Sequence, residues 1–440
     1  MKRDIEKVLE NWRMEAEHKP LILRGARQVG KTFSVRALGR QFPHFAEVNF
    51  EETPDARLFF TEALTAAPIC EKLAAFTGVP IRPGETLLFL DEAQACPEAL
   101  ASLRYFHEQI PGLHVVAAGS LLEFAWQQIP SLGVGRITSR FMHPMTFLEF
   151  LDAIGDGALR EICDQATFDK PVDAPFHRRL LERLRTYMLV GGMPAAVGAY
   201  AETHDLPRVM SVLDDLILAF QDDFGKYRKR TPTERLNETF RSVAAQTGGK
   251  FMCASVNREV KSTAILDTLA LLTQAGLAHQ VFHTHAQGLP LGAQVDSRRF
   301  KALLFDMGIH QRLLGLNVPA HLTASEVALV NGGSLAELFV GLHLVAHQAA
   351  HRRPELFYWH REARGANAEV DYVIQHGNTV CPVEVKAGVR GGMQSMRQFL
   401  KEHAVPFGLR LSMENFGRIH DTGILPLYAA HRLCDDTLVL

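Results

Sequence analysis

The residues best suited to chemistry in this 440-residue chain begin with Gly25-Ala-Arg-Gln-Val-Gly30-Lys31-Thr32 and, further on, Asp91-Glu92. The first run has the form G-x-x-x-x-G-K-[ST], preceded by apolar Leu21 to Leu23 and followed by a helical stretch with Val35 and Leu38 on one face. In that context the backbone N–H groups of Gln28, Val29, Gly30 and Lys31 wrap a β-phosphate, Lys31 bridges β- and γ-oxygens, and Thr32 holds Mg²⁺. Asp91, at the tip of the apolar strand in ETLLFLDEAQ, is placed to bind Mg²⁺ directly or through water. Glu92 is placed to orient and deprotonate an attacking water. Ser120 ends a further strand, LHVVAAGS, where it can sense a γ-phosphate from the neighbouring strand. Arg136 and Arg140 are candidates for the arginine that neutralises charge in phosphoryl transfer, with surface ion pairing an equal alternative for each. The implied cofactors are ATP and Mg²⁺, because no N-K-x-D element is present to read guanine.

A second cluster lies near the C-terminus, where CPVEVKAG places a carboxylate, Glu384, two positions from an amine, Lys386. Alternation along a strand turns Val383 and Val385 to one face and Glu384 and Lys386 to the other. Alone, that pair reads as a solvated edge with an ordinary ion pair. Upstream, FYWHREARGANAEVDYVIQHGNTV reads as strand, loop, a strand bearing Asp371, and a tight turn at His376-Gly377-Asn378. Hairpin pairing then brings Asp371 beside Glu384. Further upstream, the apolar helix SLAELFVGLHLVAHQ bears one acid, Glu337.

The elements that must carry these residues follow from length and pattern. The chain is long enough for two to four domains. Its 47% hydrophobic and 22% charged content is ordinary for globular protein, and a net charge of -2 excludes a uniformly basic nucleic-acid coat. The start, MKRDIEKVLENW, lacks the apolar core of a signal peptide, and YMLVGGMPAAVGAYA is too short and too rich in Gly and Pro to cross a bilayer. The expected location is cytoplasmic, without membrane contact. Six scattered cysteines without a C-x-x-C pair argue against a zinc ribbon or a disulfide framework. Residues 151–232 carry helical periodicity and suit a lid that reports nucleotide state, with GGMP (191–194) as a helix-ending turn. From 233 to 318 the pattern is helix, turn, helix and two strands, the outline of a winged helix. Arg258, Lys261 and Ser262 would face outward there, and KYRKR (226–230) precedes it as linker or contact site. DNA, RNA or a protein are candidate partners for such a module. His343, His347 and His351 would share a helix face, either as metal ligands or as a partly buried surface.

Residues 1–150 resemble an AAA-type ATPase family, carried by PLILRGARQVGKT, DEAQ, AGS and PMTFLEF. The resemblance implies a P-loop NTPase parallel sheet, an α/β fold, followed by the helical lid and a C-terminal domain of unknown function. It also implies a homo-oligomer in which Arg136 or Arg140 completes a neighbour's site. Residues 319–440, through Glu337, Asp371, Glu384 and Lys386, resemble the PD-(D/E)xK nuclease core, a restriction-endonuclease-like α/β domain, with Val370 where proline is usual. That resemblance implies Mg²⁺ at the three acids, hydroxide generated on the metal near a scissile phosphate, and a lysine, Lys386, that positions the water.

Overall fold

The computed structural model describes residues 1–61, 65–119, 122, 135–227, 230–319, 332–361, 367–388 and 392–435. The chain divides into two compact units. One comprises Met1–His143 with Ala349–Arg353, and the other Pro144–Gln348 with Pro354–Leu440. Among the described residues the strands form one sheet of five and one of eight.

The five-stranded sheet belongs to the first unit. Its strands are β1 (Leu21–Arg24), β2 (His44–Asn49), β3 (Thr86–Asp91), β4 (His114–Ala118) and β5 (Thr138–Phe141), in the spatial order β2-β3-β4-β1-β5. Every pairing is parallel. A parallel sheet is covered on both faces, which is why the strands TLLFLD and HVVAA have apolar middles, LLFL and VVAA, and are buried throughout. The helices Ala66–Thr77 and Pro97–Gln109 pack their Ile69, Leu73, Leu100, Leu103 and Phe106 side chains into one core with Leu88, Leu90, Val115 and Ala117. The carboxyl ends of β1 and β3 point the same way with β4 between them. The loop after β1 and the acids after β3 therefore come out at one edge of the sheet, where α/β folds bind ligands.

The second unit opens with the helices Phe147–Ala153, Gly157–Gln165, Ala174–Val190, Pro194–Thr203 and Leu206–Asp223. Thr146 starts the first through a capping box: its hydroxyl accepts from Glu149 N–H at 3.2 Å, and Glu149 accepts from Thr146 N–H at 2.8 Å. The T-x-x-E of PMTFLEF is thus a helix-start signal as well as a family mark. The helices Thr233–Ala245 and Ser262–Gln274 follow, then the antiparallel pair β6 (Ala278–Thr284) and β7 (Val295–Leu304).

This hairpin does not stand free as a wing would. The other edge of β6 pairs in parallel with β8 (Leu356–Arg361), so β6 and β7 join the sheet that also holds β9 (Ala368–His376), β10 (Thr379–Val385), β11 (Gly408–Ser412), β12 (Gly417–Ile419) and β13 (Thr422–Pro426). Its order is β12-β13-β11-β10-β9-β8-β6-β7. One sheet therefore runs across 318/319, and the second compact unit begins at Pro144. The hairpin turn at His376-Gly377-Asn378 forms where the sequence places it, with Gly377 at φ +54°. Among the described residues no helix is long and apolar enough to cross a membrane.

Candidate functional site

The nucleotide loop is built by backbone conformation. Gly25 has φ +148°, and a Cβ there would stand 2.1 Å from the Met142 carbonyl oxygen, so only glycine allows the chain to turn against β5's end. Gln28 also takes a left-handed conformation, and the helix Lys31–Gly39 starts directly from Gly30. Arg3, which the sequence reading passed over, braces this loop. It is 5% exposed and donates to the Val29 carbonyl at 2.6 Å and the His143 carbonyl at 2.8 Å.

Lys31 folds over the loop and donates to the Gly25 and Ala26 carbonyls at 2.9 and 2.7 Å. Burial pushes its ammonium down to about 8, against the opposing pull of Glu92 and Asp91. Thr32 Oγ1 donates to Asp91 Oδ2 at 3.0 Å, so the hydroxyl and carboxylate proposed to share a metal already face each other. Glu92 sits at φ 48°, ψ 42°, a left-handed conformation uncommon for glutamate, and its N–H donates to Asp91 Oδ1 at 3.0 Å. Gln94 Nε2 donates to Glu92 Oε2 at 2.5 Å. The other end of that amide lies against the tip of β4, since a Cβ on Gly119 would stand 2.0 Å from Gln94 Oε1. Gln94 was legible as part of DEAQ, but its hold on Glu92 was not. A buried ammonium, a hydroxyl–carboxylate pair and an adjacent second acid form a donor set that fits a nucleoside triphosphate with Mg²⁺.

Ser120 lies outside the described residues. Arg136 pairs with Glu108, in the last turn of the helix that runs back from β3's acidic end, so it sits at the edge of the sheet opposite the nucleotide loop. Arg140 lies beside Leu23 in the ladder, but its guanidinium donates to Thr138 Oγ1 at 2.8 Å and the Ser139 carbonyl at 3.0 Å, with Glu15 at 3.6 Å. None of the contacts that hold either arginine among the described residues is with its own chain's loop.

Asp91 sets a pH dependence. Burial, and then the charge of Glu92, push its carboxyl from 3.8 up to about 6, although the Thr32 hydroxyl and Glu92 N–H favour the anion. Between those values the folded chain holds a proton that the unfolded chain has lost, so this group's contribution to stability falls as pH rises through that window. Metal binding needs the anion and runs the other way. Affinity for ATP with Mg²⁺, measured by calorimetry, is expected to fall roughly tenfold per pH unit below about 6. Constant affinity between pH 7.5 and 5 would remove Asp91 from the metal site.

In the second unit, the ladder of β9 with β10 pairs Tyr372 with Val383, which sets Asp371 opposite Glu384 one step on. The pair with Lys386 exists, Nζ to Glu384 Oε1 being 2.6 Å, but it is no solvated edge: Glu384 is 4% exposed. Asp371 Oδ2 accepts from Val385 N–H at 2.8 Å. Burial, followed by the Glu337 charge, pushes the Asp371 carboxyl up to about 7, with Lys301 opposing. Burial likewise raises Glu337, again against Lys301. The implied Mg²⁺ does not fit these acids. Among the described residues no three His, Cys, Asp or Glu side chains converge as a metal site, and a lysine from β7, Lys301, stands among the carboxylates. Lys301 and Glu369 were both missed. Glu369 had a signal, because it shares period-two alternation with Asp371.

The histidine series is structural in its described contacts. His343 Nε2 accepts from Phe147 N–H at 3.1 Å and its Nδ1 faces the Phe339 carbonyl at 2.9 Å, while His351 lies beyond the helix end. Arg258, Lys261 and Ser262 are exposed as expected, and Arg228 and Lys229 of KYRKR lie outside the described residues.

An AAA domain family matches residues 17–151, and two domains of unknown function (DUF8612 and DUF4143) match residues 181–320 and 332–429. Residues 17–151 are thus an ATPase-like P-loop domain of the AAA type. No curated protein matches the chain. Among solved structures, a Walker-type ATPase of Pyrococcus abyssi is similar at 18% identity and TM-score 0.46, over 71% of this chain and 95% of that one. The Aeropyrum pernix Orc1 protein in complex with DNA is similar at 14% identity and TM-score 0.28, over 70% and 90%. The Thermotoga maritima RuvB Holliday junction branch migration motor is similar at 17% identity and TM-score 0.28, over 72% and 93%. Scores this low leave function to be argued from the chain's own residues.

Proposed function

We propose that this chain binds and hydrolyses ATP with Mg²⁺ and uses its nucleotide state as a switch for the second unit. The observation that carries the reading is the meeting of Thr32 Oγ1 with Asp91 Oδ2 at 3.0 Å, directly beside Lys31 and Glu92. Lys31 holds β- and γ-phosphates, Thr32 and Asp91 hold Mg²⁺, and Glu92 orients the attacking water, with Ser120 as the γ-phosphate sensor. The bound metal supplies charge neutralisation at the phosphates. Arg136 and Arg140 act, on this reading, in a neighbouring copy's site, because each is held away from its own loop. ATPase activity per chain is therefore expected to rise with protein concentration and to fall in Arg140→Ala; a flat profile with both arginines dispensable removes the oligomer.

The second unit is read as nucleic-acid-handling, with Arg258 and Lys261 exposed beside a helix and Asp371 and Glu384 on adjacent strands. A second reading, a protein-recruiting module whose nuclease-like acids are inactive, is favoured by Lys301 among those acids. Adding DNA or RNA to the full chain decides between them. Stimulated ATP turnover supports the first, and unchanged turnover with either nucleic acid supports the second.

A further inference from the structure

The Lys301 side chain, at 0% exposure, is enclosed more completely than any acid it faces. Its Nζ lies 2.8 Å from Glu337 Oε1 and 2.6 Å from Glu369 Oε1, and 5.1 Å from the centre of the Tyr358 ring. Burial alone would lower its affinity for a proton, but the charges of Glu337, Glu369 and Asp371 more than reverse that, so the ammonium persists.

These contacts account for one oxygen of each acid. Glu337 and Glu369 face the ammonium, Asp371 holds Val385 N–H, and Glu384 holds Lys386. Glu384 Oε2 is buried without a partner. That buried oxygen suits a water; Mg²⁺ needs octahedral oxygen ligation and Mn²⁺ several hard ligands. A divalent ion placed among Glu337, Glu369 and Asp371 would also stand against a fixed positive charge, at a separation where like charges repel strongly.

We infer that Lys301 is a tethered cation occupying the place a divalent metal would take, so that the acid cluster of the C-terminal unit is closed, metal-independent and inactive toward phosphodiesters. The inference deepens the second reading above but does not depend on ATP hydrolysis, since its readout is metal binding. It also gives β7 a role: an element before residue 319 supplies the charge that the acids after it require, which links the hairpin to the helix Gly332–His347 and to β9.

The test is Mn²⁺ titration of the nucleotide-free full chain, followed by thermal melting and calorimetry, in the wild type and in Asp371→Asn. Comparing the two cancels metal held at Asp91. The expected result is the same Mn²⁺ response in both, with no Mn²⁺-dependent cutting of single- or double-stranded DNA or RNA. Lys301→Met leaves the acids without their cation, and its melting midpoint is expected to rise by several degrees with Mn²⁺ where the wild type gains nothing at this site. Metal binding or cleavage by the wild type that disappears in Asp371→Asn overturns the inference, as does a folded Lys301→Met that gains nothing from Mn²⁺. If Lys301→Met does not fold, the wild type and Asp371→Asn decide alone.

Discussion

Glu92→Gln is expected to bind ATP with near-parental affinity while losing about 10²–10⁴-fold in turnover, and Lys31→Ala to lose binding itself. The two outcomes differ because the side chains meet different charges. Lys31 is a buried ammonium whose partners are carbonyl oxygens, so exchanging them for phosphate oxygens strengthens every contact it makes. Removing it leaves the β- and γ-phosphates in a partly dry loop without a cation. The Glu92 carboxylate is instead held by the Gln94 amide. The glutamine replacement keeps the size and a hydrogen-bonding carbonyl but cannot take a proton. Equilibrium binding of a fluorescent ATP analogue, measured beside phosphate release, separates the two variants. Parental phosphate release by Glu92→Gln would mean that another group activates the water.

The elements around this site were readable because local signals and burial agree there. The strand–loop–helix of PLILRGARQVGKT and the strand of ETLLFLDEAQ needed no long-range knowledge, since apolar runs bounded by glycine or acids specify buried parallel strands. The hairpin with Asp371 and Glu384 was readable for a similar reason: alternation and a His-Gly-Asn turn fix its register. What could not be read is what covers that hairpin. A solvated edge and a buried strand look alike in CPVEVKAG until β11 pairs along the side that the hairpin with β9 leaves open, and β11 lies beyond the helix Gln394–His403. Lys301 lay in FKALLF, a charged residue inside an apolar strand. That pattern requires a buried partner, but the sequence does not say which acid supplies it. The winged-helix outline did not show that its hairpin joins a larger sheet, because a hairpin's second partner strand is invisible to local pattern.

The GGMP stretch shows a larger stability effect hidden behind an ordinary turn signal. Gly191 ends the helix Ala174–Val190 at φ 75°, ψ -167°, and a Cβ there would stand 2.5 Å from both Asp306 Oδ1 and Gly308 N. That crowding exists because Asp306, 1% exposed, reaches into the turn: Oδ2 accepts from Gly192 N–H at 2.6 Å and Oδ1 from Ile309 N–H at 2.9 Å. The N–H groups of Gly308 and Met193 also favour its anion; burial nevertheless pushes the carboxyl up to about 6, so at pH 7.5 it is an anion serving several backbone donors. One carboxylate thus caps the helix Met307–Leu313 and joins it to the helix-ending turn more than a hundred residues earlier. Asp306→Ala strands those donors in the interior, where each hydrogen bond to a charged group is worth roughly 1.5–3 kcal/mol. After relaxation a net loss of about 4 kcal/mol is expected, which lowers the melting midpoint of the second unit by about 10 °C. Asp306→Asn keeps one acceptor but turns an amide N–H toward backbone donors, and should fall between the two. Gly191→Ala should approach the alanine variant's loss by a different route, steric and conformational, with the carboxylate still present. Thermal melting of the three variants at pH 7.5 checks the order, and an Asp306→Ala midpoint within about 2 °C of the parent would show that water satisfies the turn without the carboxylate.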